Sequence, residues 1–263
     1  MRRYVVKLGG HALDSLSPSS PILVALADDV LALRASGIDV LIVHGGGPQI
    51  TELLEATGRV TQFHEGLRVT DEETMEYVAM ALSRVNVHLV AALVQAGLSC
   101  LGLSGVDNGL LRADAVGAPW GRIGAAPKVD GDVIVSLWRE GLTPIVSPVA
   151  LDHAGDLVNC NADVAAGALA GAVDAELLVL LSDIDQLRAD PNDETSALAT
   201  VGVDQVRQLV DSGAAREGMR PKMLAALDAL DGGAQTVLLA NGTREHALRD
   251  ALARRIPTTE VTR

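Results

Sequence analysis

The chain has 263 residues, of which 48% are apolar and only 2% aromatic, and its 34 acidic against 21 basic side chains give a formal net charge of -13. That length buries a full core, in one large α/β body or in two small lobes, and the core must be built from Ala, Val, Leu and Ile. The negative charge and the scarcity of stacking rings exclude nucleic acid and anionic membrane over most of the surface, so a small anionic ligand needs a local basic pocket.

The first element is a strand near residues 4–8, in which Tyr4-Val5-Val6 runs into Lys7 and then Gly9-Gly10. A lysine that closes an apolar strand holds its ammonium beyond the carboxyl end of the sheet, where open α/β sheets bind ligands. Two readings stand for Lys7: a ligand cation, or a solvated edge lysine beside a tight turn. A helix over 20–36 follows, then a strand over 39–44 that enters His44-Gly45-Gly46-Gly47 and a helix over 48–57. Glycines between a strand and a helix leave bare N–H groups that attract anions. Here they fit a phosphate-cradling turn, a hydrolase oxyanion hole or a flexible corner. The hydrolase reading needs a GxSxG elbow, and Gly102-Leu103-Ser104-Gly105-Val106 lacks its last glycine. No GxxxxGK[ST] loop occurs either.

Gly66-Leu67-Arg68-Val69-Thr70 precedes a long helix over 71–96, where Thr70 suits a cap and Asp71, Glu72 and Glu73 suit the helix dipole. Arg68 is either a bidentate partner for a ligand carboxylate or the partner of those acids. A strand over 99–103 leads to residues 108–131, rich in Gly, Pro and Ala, which read as hairpins or a flap over a site and carry Arg112, Arg122 and Lys128. A helix over 132–140 and a strand over 144–147 come next. In the run Asn159-Cys160-Asn161-Ala162-Asp163, before a helix over 161–172, both asparagines read as caps or turn residues. Asp163 is a dipole partner or a contact for cations from other loops. We set a lobe boundary at 172–176, giving lobes 1–174 and 175–263.

The second lobe reads as strands over 177–182, 235–240 and 258–262 and helices over 203–212, 220–232 and 243–254. Lys222 sits at the positive end of the helix that Pro221 helps to open, which favours an anionic partner. Apolar strands alternating with helical segments imply a mostly parallel sheet covered on both faces. Cys100 and Cys160 have no CxxC spacing and the six His residues no HxxxH or HExxH spacing, so no disulfide, zinc site or other protein-held metal is expected, and a reduced, cytoplasmic setting is. The apolar run after Arg2-Arg3 is too short for a secretory signal, and no stretch reads as a bilayer span.

Seven segments in order carry a resemblance: Val5-Val6-Lys7-Leu8-Gly9-Gly10, Val43-His44-Gly45-Gly46-Gly47-Pro48, Gly66 to Thr70, Gly102 to Asp107, Asn159 to Asp163, Leu180-Leu181-Ser182-Asp183-Ile184, and Gly218-Met219-Arg220-Pro221-Lys222. Together the chain resembles the amino acid kinase family, and within it the enzymes that phosphorylate the γ-carboxylate of N-acetyl-L-glutamate in arginine biosynthesis. The resemblance implies a three-layer αβα sandwich, with lobe 1–174 for the acyl amino acid and for dimerisation and lobe 175–263 for ATP. It implies that Lys7 and Lys222 stabilise the phosphoryl group, that Asp163 holds both lysines, and that Gly10 and Gly46 N–H groups bind phosphoryl oxygens. Gly46, Gly47, Arg68 and Asn159 are the implied substrate contacts. Asp183, Ile184, Gln186, Leu187, Ala214, Ala215, Arg216 and Lys222 are those implied for ATP, whose Mg2+ is held mainly by the nucleotide phosphates. Gln186 stands where the family usually has Gly, and Val106 where Lys is common. The chain begins at its first strand and so resembles the arginine-insensitive homodimers. The competing readings are a kinase for carrier-protein-linked aminoadipate and a silent nucleotide-binding regulatory subunit.

Overall fold

Val5 and Val6, and Val40 through Val43, are almost completely buried, because these strands are covered on both faces and carry apolar residues continuously instead of alternately. The structure, a computed structural model, describes residues 2–13, 16–190, 193–213 and 219–263. In chain order the first half comprises β1 (Arg2–Leu8), α1 (Pro21–Ala35), β2 (Ile38–His44), α2 (Gly47–Ala56), the hairpin β3 (Phe63–His64) and β4 (Leu67–Arg68), α3 (Glu72–Gln95) and β5 (Cys100–Ser104). The flap follows as β6 (Leu111–Arg112), β7 (Ala115–Gly117), β8 (Gly121–Gly124) and β9 (Lys128–Val129). Then come α4 (Asp132–Arg139), β10 (Thr143–Ser147), β11 (Val149–Leu151), β12 (Leu157–Asn159) and α5 (Ala162–Ala172). The remainder is β13 (Leu177–Ser182), β14 (Thr200–Gly202), α6 (Val203–Asp211), α7 (Met219–Asp231), β15 (Thr236–Asn241), α8 (Ala247–Leu252) and β16 (Thr258–Thr262).

Eight strands form one sheet in the order β14-β16-β15-β13-β1-β2-β10-β5. All pairs are parallel except β15 with β16. Alternate residues of β1 point to opposite layers. Val5 packs toward α4, α5, α6 and α7, whereas Tyr4, Val6 and Leu8 pack toward α1, α3 and α8. The three-layer sandwich is therefore as expected. A second sheet, β7-β8-β12-β11-β6-β9, contains the flap.

Some expectations are corrected. The strands β3, β4, β11, β12 and β14 hold two or three residues each, too few to show a period in sequence. The helix expected over 243–254 shrinks to Ala247–Leu252, because His246 at its start takes a left-handed φ of 54° and Asp29 of α1 reaches across to accept from Arg249 N at 3.0 Å. Asp71, not Thr70, caps α3, accepting from Thr74 N at 2.7 Å. Thr70 turns inward, its Oγ1 donating to Arg68 O at 2.8 Å. The 24 residues of α3, with a mean hydropathy of 1.6 in their most apolar window, do reach the length and apolarity of a bilayer span. Here the helix is packed inside the protein, with Val85 and Leu89 buried against the large sheet and Val78 and Leu82 against Ile50 and Leu54 of α2.

Candidate active site

In the register of β1 against β2, Lys7 stands beside Val43 and Leu8 beside His44. Both glycine turns therefore leave the same end of the sheet, and their first amides still follow the ladder, Gly9 N donating to Leu181 O and Gly45 N to Leu8 O, each at 3.0 Å. Gly10 opens a short 3-10 turn to Leu13, and Gly46 is the N-cap of α2. A Cβ on Gly46 would meet Leu82 Cδ2 of α3 at 2.8 Å, so the turn lies close against α3 and a larger residue there would displace the Leu82 side chain.

Lys7 is 7% exposed, and its Nζ lies 2.8 Å from Asp163 Oδ1. Asp163 is held at the first turn of α5 by the cap Asn161, whose Oδ1 accepts from Asp163 N at 2.8 Å. The expectation that Asp163 holds both lysines gives way to separate pairs, because Lys222 enters on α7 beside the end of β13, and its Nζ lies 2.9 Å from Asp183 Oδ1. Both ammonium groups nevertheless border one cavity of about 390 Å³, together with Gly46, Gly47, Arg68, Asn159 and Asp163. Residues from the two ends of the sequence thus meet in one pocket.

Arg68 is 7% exposed. Its Nη2 donates to Gly47 O at 3.0 Å and Thr51 Oγ1 at 2.9 Å, and its Nη1 to Thr61 Oγ1 at 3.1 Å. Phe63 stacks on the guanidinium with its ring centre 4.9 Å away. The acids nearby in sequence are otherwise engaged: Asp71 caps α3 and Glu73 pairs with Arg59. Among the described residues Arg68 has no carboxylate partner, and burial lowers its pKa from the ordinary arginine value. A buried cation with only neutral partners favours an anion in the adjoining space.

Asn159 donates from Nδ2 to Thr70 Oγ1 at 3.3 Å at the cavity wall, and Ile123 of the flap strand β8 also lines it. Arg122 of the flap faces away from a free ligand, since Asp152 and Asp156 hold it at 2.9 and 2.8 Å. The residues named for the nucleotide separate. Asp183 meets Lys222, but Leu187 is fully buried with its N–H donating to Thr259 Oγ1 at 2.9 Å, and Gln186 donates to Thr258 O at 2.9 Å. As a side-chain contact Leu187 is therefore corrected to a core residue; Ile184 packs at the core margin. Ala214, Ala215 and Arg216 lie outside the described residues. Sequence reasoning missed Phe63, Thr51 and Thr61 around Arg68; the one available signal was that Phe63 is the sole Phe of the chain.

The α/β sandwich and a cavity lined by Lys7, Lys222 and an arginine with no carboxylate partner among the described residues define a class, and comparison with known proteins agrees. The amino acid kinase family matches over residues 2–241, and the chain belongs to it. Its similar relatives include the acetylglutamate kinases of Methanococcus maripaludis strain C5, 35% identical with 94% of this chain and 87% of that protein covered, and of Pelotomaculum thermopropionicum, 37% identical with 93% and 86% covered. Among solved structures, smu.665 of Streptococcus mutans UA159 is 27% identical, with a TM-score of 0.80 over 99% of this chain and 98% of that one. The N-acetylglutamate synthase of Neisseria gonorrhoeae, in complex with coenzyme A and N-acetyl-glutamate, shares the fold at 24% identity and a TM-score of 0.82, although this chain covers 59% of its length.

Proposed function

We propose that this chain is an acetylglutamate kinase, transferring the γ-phosphoryl group of ATP to the γ-carboxylate of N-acetyl-L-glutamate as a step of arginine biosynthesis. The observation that carries the reading is Arg68: buried, without a carboxylate partner among the described residues, and opening on the cavity that Lys7 and Lys222 also reach. An amino acid that offers its α-carboxylate to Arg68 directs its side-chain carboxylate toward the lysines. That carboxylate, with an ordinary pKa of about 4.3, is already ionised at neutral pH and needs no general base. What the reaction needs is alignment and charge neutralisation, which supply most of the catalysis of phosphoryl transfer.

In this reading Lys7, held by Asp163, and Lys222, released from Asp183, neutralise the phosphoryl group in flight, and the Gly10 and Gly46 N–H groups receive its oxygens. Gly47 and Asn159 line the acceptor, while lobe 175–263 holds the nucleotide. Among the described residues no three His, Cys, Asp or Glu side chains converge to hold a metal ion. Magnesium would therefore arrive on the nucleotide's phosphates, where it neutralises their charge. The carrier-linked alternative is weakened by Arg122, which its acid partners occupy, so that the flap offers an acidic carrier only Arg112 and Lys128. The two unpaired cysteines suit a reducing cytoplasm. We also assign the working unit as a homodimer formed through α3.

A coupled assay of ADP release with acetylglutamate, glutamate, aspartate and aminoadipate as acceptors tests the reading. Acetylglutamate is expected to be the preferred acceptor by kcat/KM. Equal or better turnover of another acceptor, or none with acetylglutamate, overturns it.

A further inference from the structure

Behind the cavity wall, out of reach of any ligand, lies a chain of buried polar groups that the mechanism above leaves unused. His44, the last residue of β2, is fully buried. Its Nδ1 lies 2.8 Å from the carbonyl oxygen of Gly45, and its Nε2 lies 3.0 Å from Nδ2 of Asn86 on α3. The same Nδ2 is 3.0 Å from Ile145 O on β10 and 3.4 Å from Leu103 O on β5. A Cβ on Gly102 would collide with the Asn86 side chain, so β5 leaves this amide its space.

The donor and acceptor roles follow by elimination. Carbonyl oxygens only accept, so the Asn86 atom facing two of them is the amide nitrogen and cannot be the oxygen. It therefore donates to His44 Nε2, which must be unprotonated. The single ring proton sits on Nδ1 and is donated to Gly45 O. Burial draws the His44 pKa down from 6.5 to about 4, against a smaller opposing effect of the Gly45 bond, so the ring remains neutral in this tautomer at physiological pH.

Gly45 O and Gly46 N–H belong to one planar trans peptide and point in opposite directions. Holding the oxygen from the protein interior fixes where the N–H points, and that N–H, at the N-cap of α2, makes no hydrogen bond among the described residues. We propose that Asn86, acting through His44, is a positioning residue for phosphoryl transfer: the pair locks the Gly45–Gly46 peptide so that Gly46 N–H faces the cavity as a preset donor. A donor fixed in advance needs no reorganisation when charge develops. The inference rests on the kinase reading above.

Three variants test it. In His44→Asn the side-chain amide nitrogen falls near the Nδ1 position and keeps a donor for Gly45 O. In His44→Gln the amide extends toward the Nε2 position and leaves Gly45 O without one. Asn86→Leu removes the group that selects the tautomer. The expected result is a kcat lowered about ten- to hundredfold in His44→Gln and Asn86→Leu, with both KM values within about twofold, and most of kcat recovered in His44→Asn. Nitrogen-15 NMR of the unsubstituted enzyme at pH 7 is expected to find the His44 proton on Nδ1, and to find that state lost in Asn86→Leu. A wild-type kcat in His44→Gln, an equal loss in His44→Asn and His44→Gln, or a proton on Nε2 overturns the inference. The NMR readout needs no turnover, so its failure is separable from failure of the kinase reading, which the acceptor assay and an undiminished Lys7→Ala enzyme would reveal instead.

Discussion

Arg68 has five N–H donors and only neutral oxygens to receive them, and Lys in its place would offer a point charge with no planar fork. Losing one charge-assisted bond of a bidentate pair costs about 1.5–3 kcal/mol, so Arg68→Lys should raise the acetylglutamate KM about tenfold or more and leave the ATP KM nearly unchanged. Steady-state kinetics with each substrate varied checks this, and an unchanged acceptor KM removes the assignment. Two other residues set opposing pH dependences. The folded pKa of His44, about 4, lies below the ordinary 6.5. Between those values the unfolded chain binds a proton that the folded one refuses, so about 3 kcal/mol of stability, present above pH 6.5, is lost as pH falls toward 4. Asp228 is raised from 3.8 to about 6, first by burial and then by the charges of Asp163 and Asp231. Its carboxylate lowers stability at neutral pH and ceases to do so as pH falls through 6, an effect of about 1 kcal/mol once discounted for its partial solvation. Urea unfolding between pH 4 and 7 should therefore give a flatter acid decline for His44→Asn than for the parent. Asp228→Asn should be more stable at pH 7 with a steeper decline. Superimposable pH curves would refute both attributions.

At the scale of elements, Lys222 and Asp163 depend on how closely α7 lies against α5. Gly167 faces Ala229, and Gly171 faces Gly232 and Gly233, with a Cβ on Gly167 placed 2.7 Å from the Ala229 carbonyl oxygen. Backbone on the far side cannot yield as a side-chain tip can, so a branched residue at 167 must drive the helices apart. Gly167→Val should lose about 2–3 kcal/mol of stability and part of kcat, measured by thermal melting and turnover. Gly202→Ala, where nothing lies within 4 Å of the new Cβ, should be near neutral in both. Equal behaviour of the two variants would refute the seam argument. The same scale explains what the sequence made legible. Long strands announced themselves as unbroken apolar runs and helices by period, and Lys7, Asp163 and Lys222 by standing as charges at element ends. The companions of Arg68 come from α2, the loop after it and the β3 hairpin, and no spacing joins Thr51, Thr61 and Phe63. Asn86 reads in sequence as an indifferent helix residue, and only the register of β2, β5 and β10 reveals its three acceptors.

Across the whole molecule, α3 presents Met80, Val87 and Val94 to solvent at seven-residue steps, 52%, 65% and 52% exposed, and Leu101 on the edge strand β5 is 41% exposed. A row of large apolar side chains beside an open sheet edge suits the pairing of two copies by a twofold axis. Val87→Lys combined with Met80→Glu should convert a dimer to a monomer in sedimentation equilibrium, and a monomeric parent protein would remove the assignment.

β1 is hydrogen-bonded to β2 on one side and to β13 on the other, so the frontier between the two lobes cuts across no gap in the sheet. In the proposed division of labour the two lobes are therefore not separable objects. Severing the chain near residue 174 should leave two fragments clinging through the Leu and Val rows of β1 and β13, and a calorimeter should record a single endotherm for the whole protein. In that reading, any closure around a nucleotide draws on the twist of that shared ribbon and on the loops at its rim, much as a propeller blade flexes without a hinge.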